Sequence, residues 1–472
     1  MSLFSRLTRP AQSAGPRRLV VVGLDGTPFS LVNRLMEQGH LPNLKRIVSE
    51  GSLSRMSSVY PVISSVAWAS FMTGKNPAQH GIFGFVDCHP GSFKTFIPNA
   101  KHLQGPTLWE VLGREKKRVA VMNVPVTYPP REVNGVLVSC FLTPDVAKST
   151  YPAPLAQKLQ EMGYRLDMDP WLARKSKDAM LQDFDLVLAK RAEAMWYLLR
   201  REEWDFFMVH VMETDRLQHF LWEQYEGGDP KYAPAFVEKY VQVDRLLGEI
   251  RANLKPDTGL LIVSDHGFAS IKYEVEVNTW LQQAGWLKFR PKPADHDPKL
   301  PYPTLEHIDP ASRAYSLVPG RLFLNLEGRE PNGSVPRSRY HEVREALAKE
   351  ALEGLRDPQT GQPMIERVIR KEEIYSGPLF DRAADLILQP YNGYDLKGAV
   401  NRSEFVHKGE LVGMHTFDDA LLYVSGRQIV KSDLSILDVM PTILELMKVP
   451  VPQDLEGRVA VSDEPLKVAV RG

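Results

Sequence analysis

The stretch "LLIVSDHGFAS", residues 260–270, is an apolar, β-branched run that stops on Asp265-His266-Gly267. A continuous apolar run of this length reads as a strand buried on both faces, and such strands belong to parallel sheets covered by helices. A carboxylate and an imidazole side by side at its carboxyl end are either a polar turn or one edge of a metal site. Other segments repeat the pattern. "RRLVVVGLDGT" (17–27) ends on Asp25-Gly26, and "WDFFMVHVMETD" (204–215) ends on Asp215. "KRVAVMNVPV" (117–126) and "GVLVSCFL" (135–142) read as further buried strands. Helical spacing fills the intervals, in "PFSLVNRLMEQGHLPNLKRIVSEG" (28–51), "MLQDFDLVLAKRAEAMWYLLRREE" (180–203) and "APAFVEKYVQVDRLLGEIRANL" (233–254). This alternation predicts an α/β fold: a mostly parallel central sheet with helices on both faces, and an inserted cap subdomain.

The chain of 472 residues has room for a large core and an insertion. Residues 1–17 are expected to be a disordered lead-in, and 18–289 the first part of the core. The Pro-rich piece "KFRPKPADHDPKLPYPT" (288–304) marks the start of an insertion or cap over 290–365, expected over or beside the site. Residues 366–472 complete the core. In that part, "DRAADLILQPY" (381–391) and "DDALLYVSG" (418–426) are expected to return strands to the central sheet, and "SILDVMPTILELMKVPVP" (435–452) to close with a helix. Arg321, Arg329 and Arg337, in the cap, read either as part of what sets substrate choice or as solvated surface charges.

Composition narrows the function class. Hydrophobic residues make up 43% and charged residues 25%, as in ordinary globular proteins. Lys+Arg and Asp+Glu are 58 each, so the bulk charge gives no reason to expect a nucleic acid polymer or an anionic membrane as partner. No apolar stretch approaches a membrane span. The cysteines are Cys88 and Cys140, too few for a disulfide framework. The amino terminus lacks the apolar region of a secretory signal, so a cytoplasmic location is expected. Nothing in the sequence points to an oligomeric state.

A strand-end aspartate taken alone is a turn or a helix cap. Three at one edge of a parallel sheet repel one another unless a cation lies between them, and that edge is where such sheets bind ligands. Each has metal-ligand company. "ETDRLQHFLW" (213–222) places His219 four residues after Asp215, so a helix beginning there puts both on one face. His266 adjoins Asp265, and His415 precedes a strand in "GELVGMHTFDDALLYVSG" (409–426). Asp25, Asp215, His219, Asp265, His266 and His415 suffice for two sites of three ligands each. Mixed nitrogen and oxygen donors suit two divalent ions, zinc with manganese or iron as alternatives, over calcium or magnesium. A nucleophile is offered by "VYPVISSVAWASFMTGKNPAQHGI" (59–82), where Ser64 and Ser65 stand before helical spacing. A helix N-terminus favours phosphate, and one of the two serines is expected to be the N-cap. Trp68 and the mid-strand His210 read as buried structural residues, Lys75 as a solvated loop residue.

Taken in order, "VVVGLDG", "YPVISSVAWASFMTGKNPAQHGIFGF", "METDRLQHFLW", "VSDHGF", "GMHTFDD" and "LDVMPTILELMKVPVPQDLEGRV" resemble the blocks of the alkaline phosphatase superfamily, and within it the type I phosphodiesterase/nucleotide pyrophosphatase family. The resemblance implies that Asp215, His219 and His415 hold one metal, and that Asp25, Asp265 and His266 hold a second that also touches the nucleophile. The family's register before Thr73-Gly74 puts that nucleophile at Ser64, with Ser65 as fallback. It implies metal-dependent hydrolysis of a small-molecule phosphate ester at a two-metal centre, through a covalent phosphoseryl intermediate. Nucleotide pyrophosphatases usually carry Thr as nucleophile and Asn three residues later; here Ser64 and Ala67 stand there, which counts against a nucleotide diester in particular. The family's sulfatase signature is absent. Two alternatives remain: a phosphomonoesterase or phosphomutase on the same site, and a catalytically silent metal-binding protein.

Overall fold

The computed structural model describes residues 16–466, so the lead-in expected over 1–17 falls almost wholly outside the described residues. The central sheet has eight strands: β1 (Arg18–Leu24), β2 (Gly51–Met56), β3 (Val119–Met122), β4 (Gly135–Val138), β5 (Thr150–Tyr151), β6 (Phe206–Val211), β7 (Thr258–Val263) and β8 (Ala420–Ser425). Their spatial order is β2-β8-β7-β1-β6-β3-β4-β5. The five strands from β7 to β4 run parallel. β8 is antiparallel to β7 and β2, and β5 is antiparallel to β4. The α/β sheet read from the sequence is therefore present, with antiparallel strands at both margins.

The apolar runs follow from double coverage. Successive side chains of a strand point to opposite faces. In β1, Val20 and Val22 join a core with the Lys177–Arg201 and Tyr232–Asn253 helices, while Leu19 and Val21 join a second core with the Ser64–Thr73 and Val439–Leu446 helices. With both faces buried, alternation disappears from the sequence. The helical stretch over 28–51 is two helices, Phe29–Glu37 and Pro42–Val48, broken at Gly39, whose φ is +83°. Among Ser64 and Ser65, neither caps its helix: the N-cap is Ile63, and the serines are the first helical residues.

A second expectation is overturned. The 381–391 stretch does not return to the central sheet. Its strand, Leu386–Pro390, lies in a separate four-stranded sheet between Arg321–Leu324 and Ile365–Arg370, with Ala314–Leu317 at the margin. That sheet has its own apolar core against the Tyr340–Gly354 and Val277–Gln283 helices. An apolar strand carries no mark of which sheet it joins, so the misplacement has a physical reason. Arg321 and Arg329 are also not solvated. Arg321 is 1% exposed and paired with Asp87, and Arg329 donates to Asp385 at 2.6 and 2.9 Å.

Candidate metal centre

Three neighbouring parallel strands deliver the carboxylates. β6, β1 and β7 lie side by side, with Leu24 opposite Val211 and Gly23 opposite Val263. Asp25 follows β1 directly, and Asp265-His266 follows β7 after one residue. Asp215 lies in the first turn of the Glu213–Glu226 helix that follows β6, one turn before His219. Thr214 and Gln218 tie this helix to the turn after β1, donating to the carbonyls of Asp25 (2.7 Å) and Gly26 (2.9 Å). His415 is brought in by the short Gly413–Thr416 strand, which pairs with Gly267–Ser270 so that His415 faces Phe268. Ser64 opens its helix at the same edge.

The six candidate ligands and Ser64 come together in two adjoining clusters. In the first, Asp215 Oδ1 lies 3.3 Å from both His219 Nε2 and His415 Nε2, and those two nitrogens are 3.1 Å apart. In the second, Ser64 Oγ lies 3.2 Å from both Asp25 Oδ1 and His266 Nε2, and His266 Nε2 is 3.7 Å from Asp25 Oδ1 and 3.3 Å from Asp265 Oδ2. His266 stands at the junction, within 4.8 Å of ligand atoms from both groups, its ring stacked on His415 at 3.6 Å. Ser65 is buried, its hydroxyl without a hydrogen-bond partner, and makes none of these contacts.

The chemistry of this donor set fits cations. Each imidazole turns Nδ1 to a backbone carbonyl: His219 to Gly413 (2.8 Å), His266 to Gly267 (3.1 Å) and His415 to Val62 (3.4 Å). A carbonyl only accepts, so each Nδ1 carries the proton and each Nε2 presents a lone pair. Lone pairs on His219, His415 and Asp215 at 3.1–3.3 Å repel unless a positive ion sits among them. Ligands about 2.0–2.1 Å from a tetrahedral ion are spaced roughly 3.3 Å apart, which is the spacing found in both clusters. Two of the inward carboxylate oxygens, Asp215 Oδ1 and Asp265 Oδ2, are buried without a hydrogen-bond partner.

Electrostatics agree. Burial, and then the charge of Asp25, push the Asp265 carboxyl well above the ordinary carboxylate range. His266 is pushed down to about 3 by burial, with His415 adding to the effect, so it stays neutral and free to donate a lone pair.

The outward oxygens are all held. Asp25 Oδ2 accepts from Trp68 Nε1 (2.9 Å) and from His210 Nε2 (2.8 Å). Asp265 Oδ1 accepts the Gly26 N–H at 2.9 Å, and Asp215 Oδ2 faces Arg216 Nη1 at 3.3 Å. Arg216 is itself gripped by Asp167 at 2.7 Å and stacks over Phe141 at 5.3 Å. Trp68 and His210 are buried, as expected, but their N–H groups reach the site. The available signal for Trp68 was its place four residues after Ser64, on the same helix face. Lys75 is not a free loop residue; it pairs with Asp454.

A cavity of about 1040 Å³ opens from this centre. His219 and His415 form one end, and Val318, Pro319 and Leu388 of the four-stranded sheet and its turns form another wall. Tyr60 and Phe417 stack at 4.3 Å along its side.

A family model described as type I phosphodiesterase/nucleotide pyrophosphatase matches residues 19–418. The chain belongs to this family. With the family comes the reaction class, hydrolysis of phosphoric esters, and a dependence on metal ions. No curated protein matches the chain by sequence. Among solved structures, phosphonoacetate hydrolase from Sinorhizobium meliloti, in complex with phosphonoacetate, is similar at a TM-score of 0.60 and 18% identity, over 92% of this chain and 96% of that one. Murine ectonucleotide pyrophosphatase/phosphodiesterase 5 is similar at a TM-score of 0.55 and 15% identity, over 94% of this chain and 100% of that one. An inactive form of that murine protein, solved with AMP, gives 0.54 at 16% identity, over 94% of this chain and 100% of that one. At such identities these structures speak for the alkaline phosphatase-like fold alone. Among the described residues no helix is long and apolar enough to cross a membrane.

Proposed function

We propose that the chain hydrolyses small-molecule phosphodiesters at a two-metal centre through a covalent phosphoseryl intermediate on Ser64. The observation that carries this reading is the position of Ser64 Oγ, 3.2 Å from Asp25 Oδ1 and from His266 Nε2, at the first residue of its helix. In this reading Asp215, His219 and His415 hold one divalent ion, and Asp25, Asp265 and His266 hold the other beside Ser64. Zinc suits the three Nε2 donors best. When bound, such ions supply positive charge to the attacking and leaving oxygens of the displacement.

The chain's own groups do the rest. Asp25 Oδ1 accepts the Ser64 hydroxyl proton in a hydrogen bond, aligning Oγ for attack on phosphorus. The first amides of this helix to find a backbone acceptor are those of Val66 and Ala67, both on the Ile63 carbonyl. The Ser64 and Ser65 amides therefore stay open to a phosphoryl oxygen at the positive end of the helix dipole. They stand in for the Asn side chain that Ala67 lacks. The cavity has room for the organic group of a diester. The phosphonate and AMP held by the solved relatives support a small phosphoryl-bearing substrate.

The test is hydrolysis of a chromogenic phosphate diester against the matching monoester, after metal reconstitution, with Ser64→Ala alongside. Faster diester turnover, loss in the variant, and a phosphoryl group on Ser64 in quenched wild type are expected. Faster monoester turnover moves the reading to a phosphatase or mutase, which the serine nucleophile and Ala67 also fit. No turnover with both ions verified bound leaves the silent metal-binding protein.

A further inference from the structure

Asp25 has one oxygen for the centre and one for the protein. Oδ1 faces Ser64 and His266, while Oδ2 receives two N–H donors at 2.8 and 2.9 Å. Those donors come from different elements. Trp68 belongs to the nucleophile's own helix, one turn after Ser64, and His210 lies in the middle of β6. Both side chains are fully buried, and their rings meet edge to face at 4.7 Å. β1 is built to receive them. A Cβ on Gly23 would stand 2.8 Å from the Trp68 ring and 3.2 Å from His210, so only glycine lets both approach. His210 Nδ1 is buried without a partner, so this ring keeps a polar atom unsatisfied. Leucine would fill that space without the unsatisfied atom. What the histidine adds is the Nε2–H that meets Asp25.

We propose that Trp68 and His210 are positioning residues for the metal ion at Asp25, Asp265 and His266, a proposal that rests on the two-metal reading above. Held at Oδ2 by two fixed donors, Asp25 has one orientation left, with Oδ1 toward the ion and the nucleophile. Because Trp68 rides on the helix of Ser64, the same contact sets the distance between nucleophile and ligand. The other ion has a separate holder, Arg216 braced by Asp167 against Asp215 Oδ2. The two sites are thereby tuned independently. A purely packing role for Trp68 and His210 would not discriminate between them.

The experiment counts bound zinc per chain and measures each affinity by chelator competition, for Trp68→Phe, His210→Leu, His210→Gln and Arg216→Met. To assign sites, Trp68→Phe is also placed in a His219→Ala background, which leaves the Asp25 site, and in an Asp265→Ala background, which leaves the Asp215 site. Trp68→Phe and His210→Leu are expected to weaken one ion by about 10- to 100-fold and leave the other unchanged. His210→Gln keeps a donor near Nε2 and restores most of the loss. Arg216→Met weakens the other ion. In the paired backgrounds, Trp68→Phe acts only where the Asp25 site remains. Unchanged affinities in Trp68→Phe and His210→Leu, or equal weakening of both ions with a lower melting temperature of the metal-free protein, overturns the proposal while the two-metal reading stands. Wild type holding fewer than two ions overturns both. If Trp68→Phe does not fold, the contrast between His210→Leu and His210→Gln decides alone.

Discussion

Two side chains carry the residue-scale predictions. Ser64 is half-buried at the meeting point of Asp25 and His266, and among the described residues no other hydroxyl makes those contacts. In the proposed covalent mechanism, Ser64→Ala is expected to lower kcat on the order of 10⁴-fold or more without loss of metal, since the attacking oxygen has no substitute. Single-turnover rates and metal content, measured together, check this; a loss below tenfold removes Ser64 from the mechanism. His80 makes a prediction about pH. It is fully buried, takes the Ile82 N–H on Nδ1 at 3.1 Å, and faces Ser70 Oγ with Nε2 at 3.0 Å. Burial lowers its pKa from 6.5 to about 3. A depressed folded-state value means that its stabilisation is complete above 6.5 and lost as pH falls from there toward 3. The slope is at most about 1.4 kcal/mol per pH unit. His80→Gln is expected to flatten the fall in melting temperature between neutral pH and mild acid; parallel curves for variant and wild type would show that His80 does not titrate this way.

At the scale of elements, close approach of β1 to the nucleophile's helix is the demanding feature. Gly23→Ala drives a methyl into the Trp68 ring and is expected to destabilise by about 1–3 kcal/mol, read as a drop in urea midpoint. An unchanged midpoint would mean that the helix gives way freely. The four-stranded sheet makes the second demand. Leu388 is buried in its core and borders the cavity. Leu388→Ala removes wall without adding charge and is expected to change kcat/KM more for bulky aryl esters than for methyl esters. A uniform change across both ester sizes would place the organic group elsewhere.

For the whole molecule, the centre joins parts far apart in the chain. Asp25, Ser64, Asp215, Asp265 and His415 come from five separate segments that meet at one sheet edge. In the proposed two-metal reading, ions held there would stabilise the folded state by mass action, about 2.7 kcal/mol for each site at a hundredfold excess over its Kd. Chelation is expected to lower the melting temperature, and zinc to restore it. A melting temperature indifferent to chelator would mean that the ions are not held by the folded chain.

The sequence by itself determined the layers, the strand-end carboxylates and the candidate ligands. Those are local signals: apolar runs bounded by Asp, a four-residue spacing from Asp215 to His219, and a dipeptide at 265–266. Ordered along the chain, they also carried the family. Tertiary structure alone decided three other matters. It sent the Leu386–Pro390 strand to the second sheet, because strand partners are chosen by long-range pairing that an apolar run does not encode. It turned Trp68 and His210 from core residues into the holders of Asp25, because a side-chain N–H finds its acceptor only after packing brings distant segments together. And it put the Ser64 hydroxyl, which the family register had only favoured over Ser65, against Asp25 and His266, because helix phase fixes which of two adjacent hydroxyls points at the sheet edge.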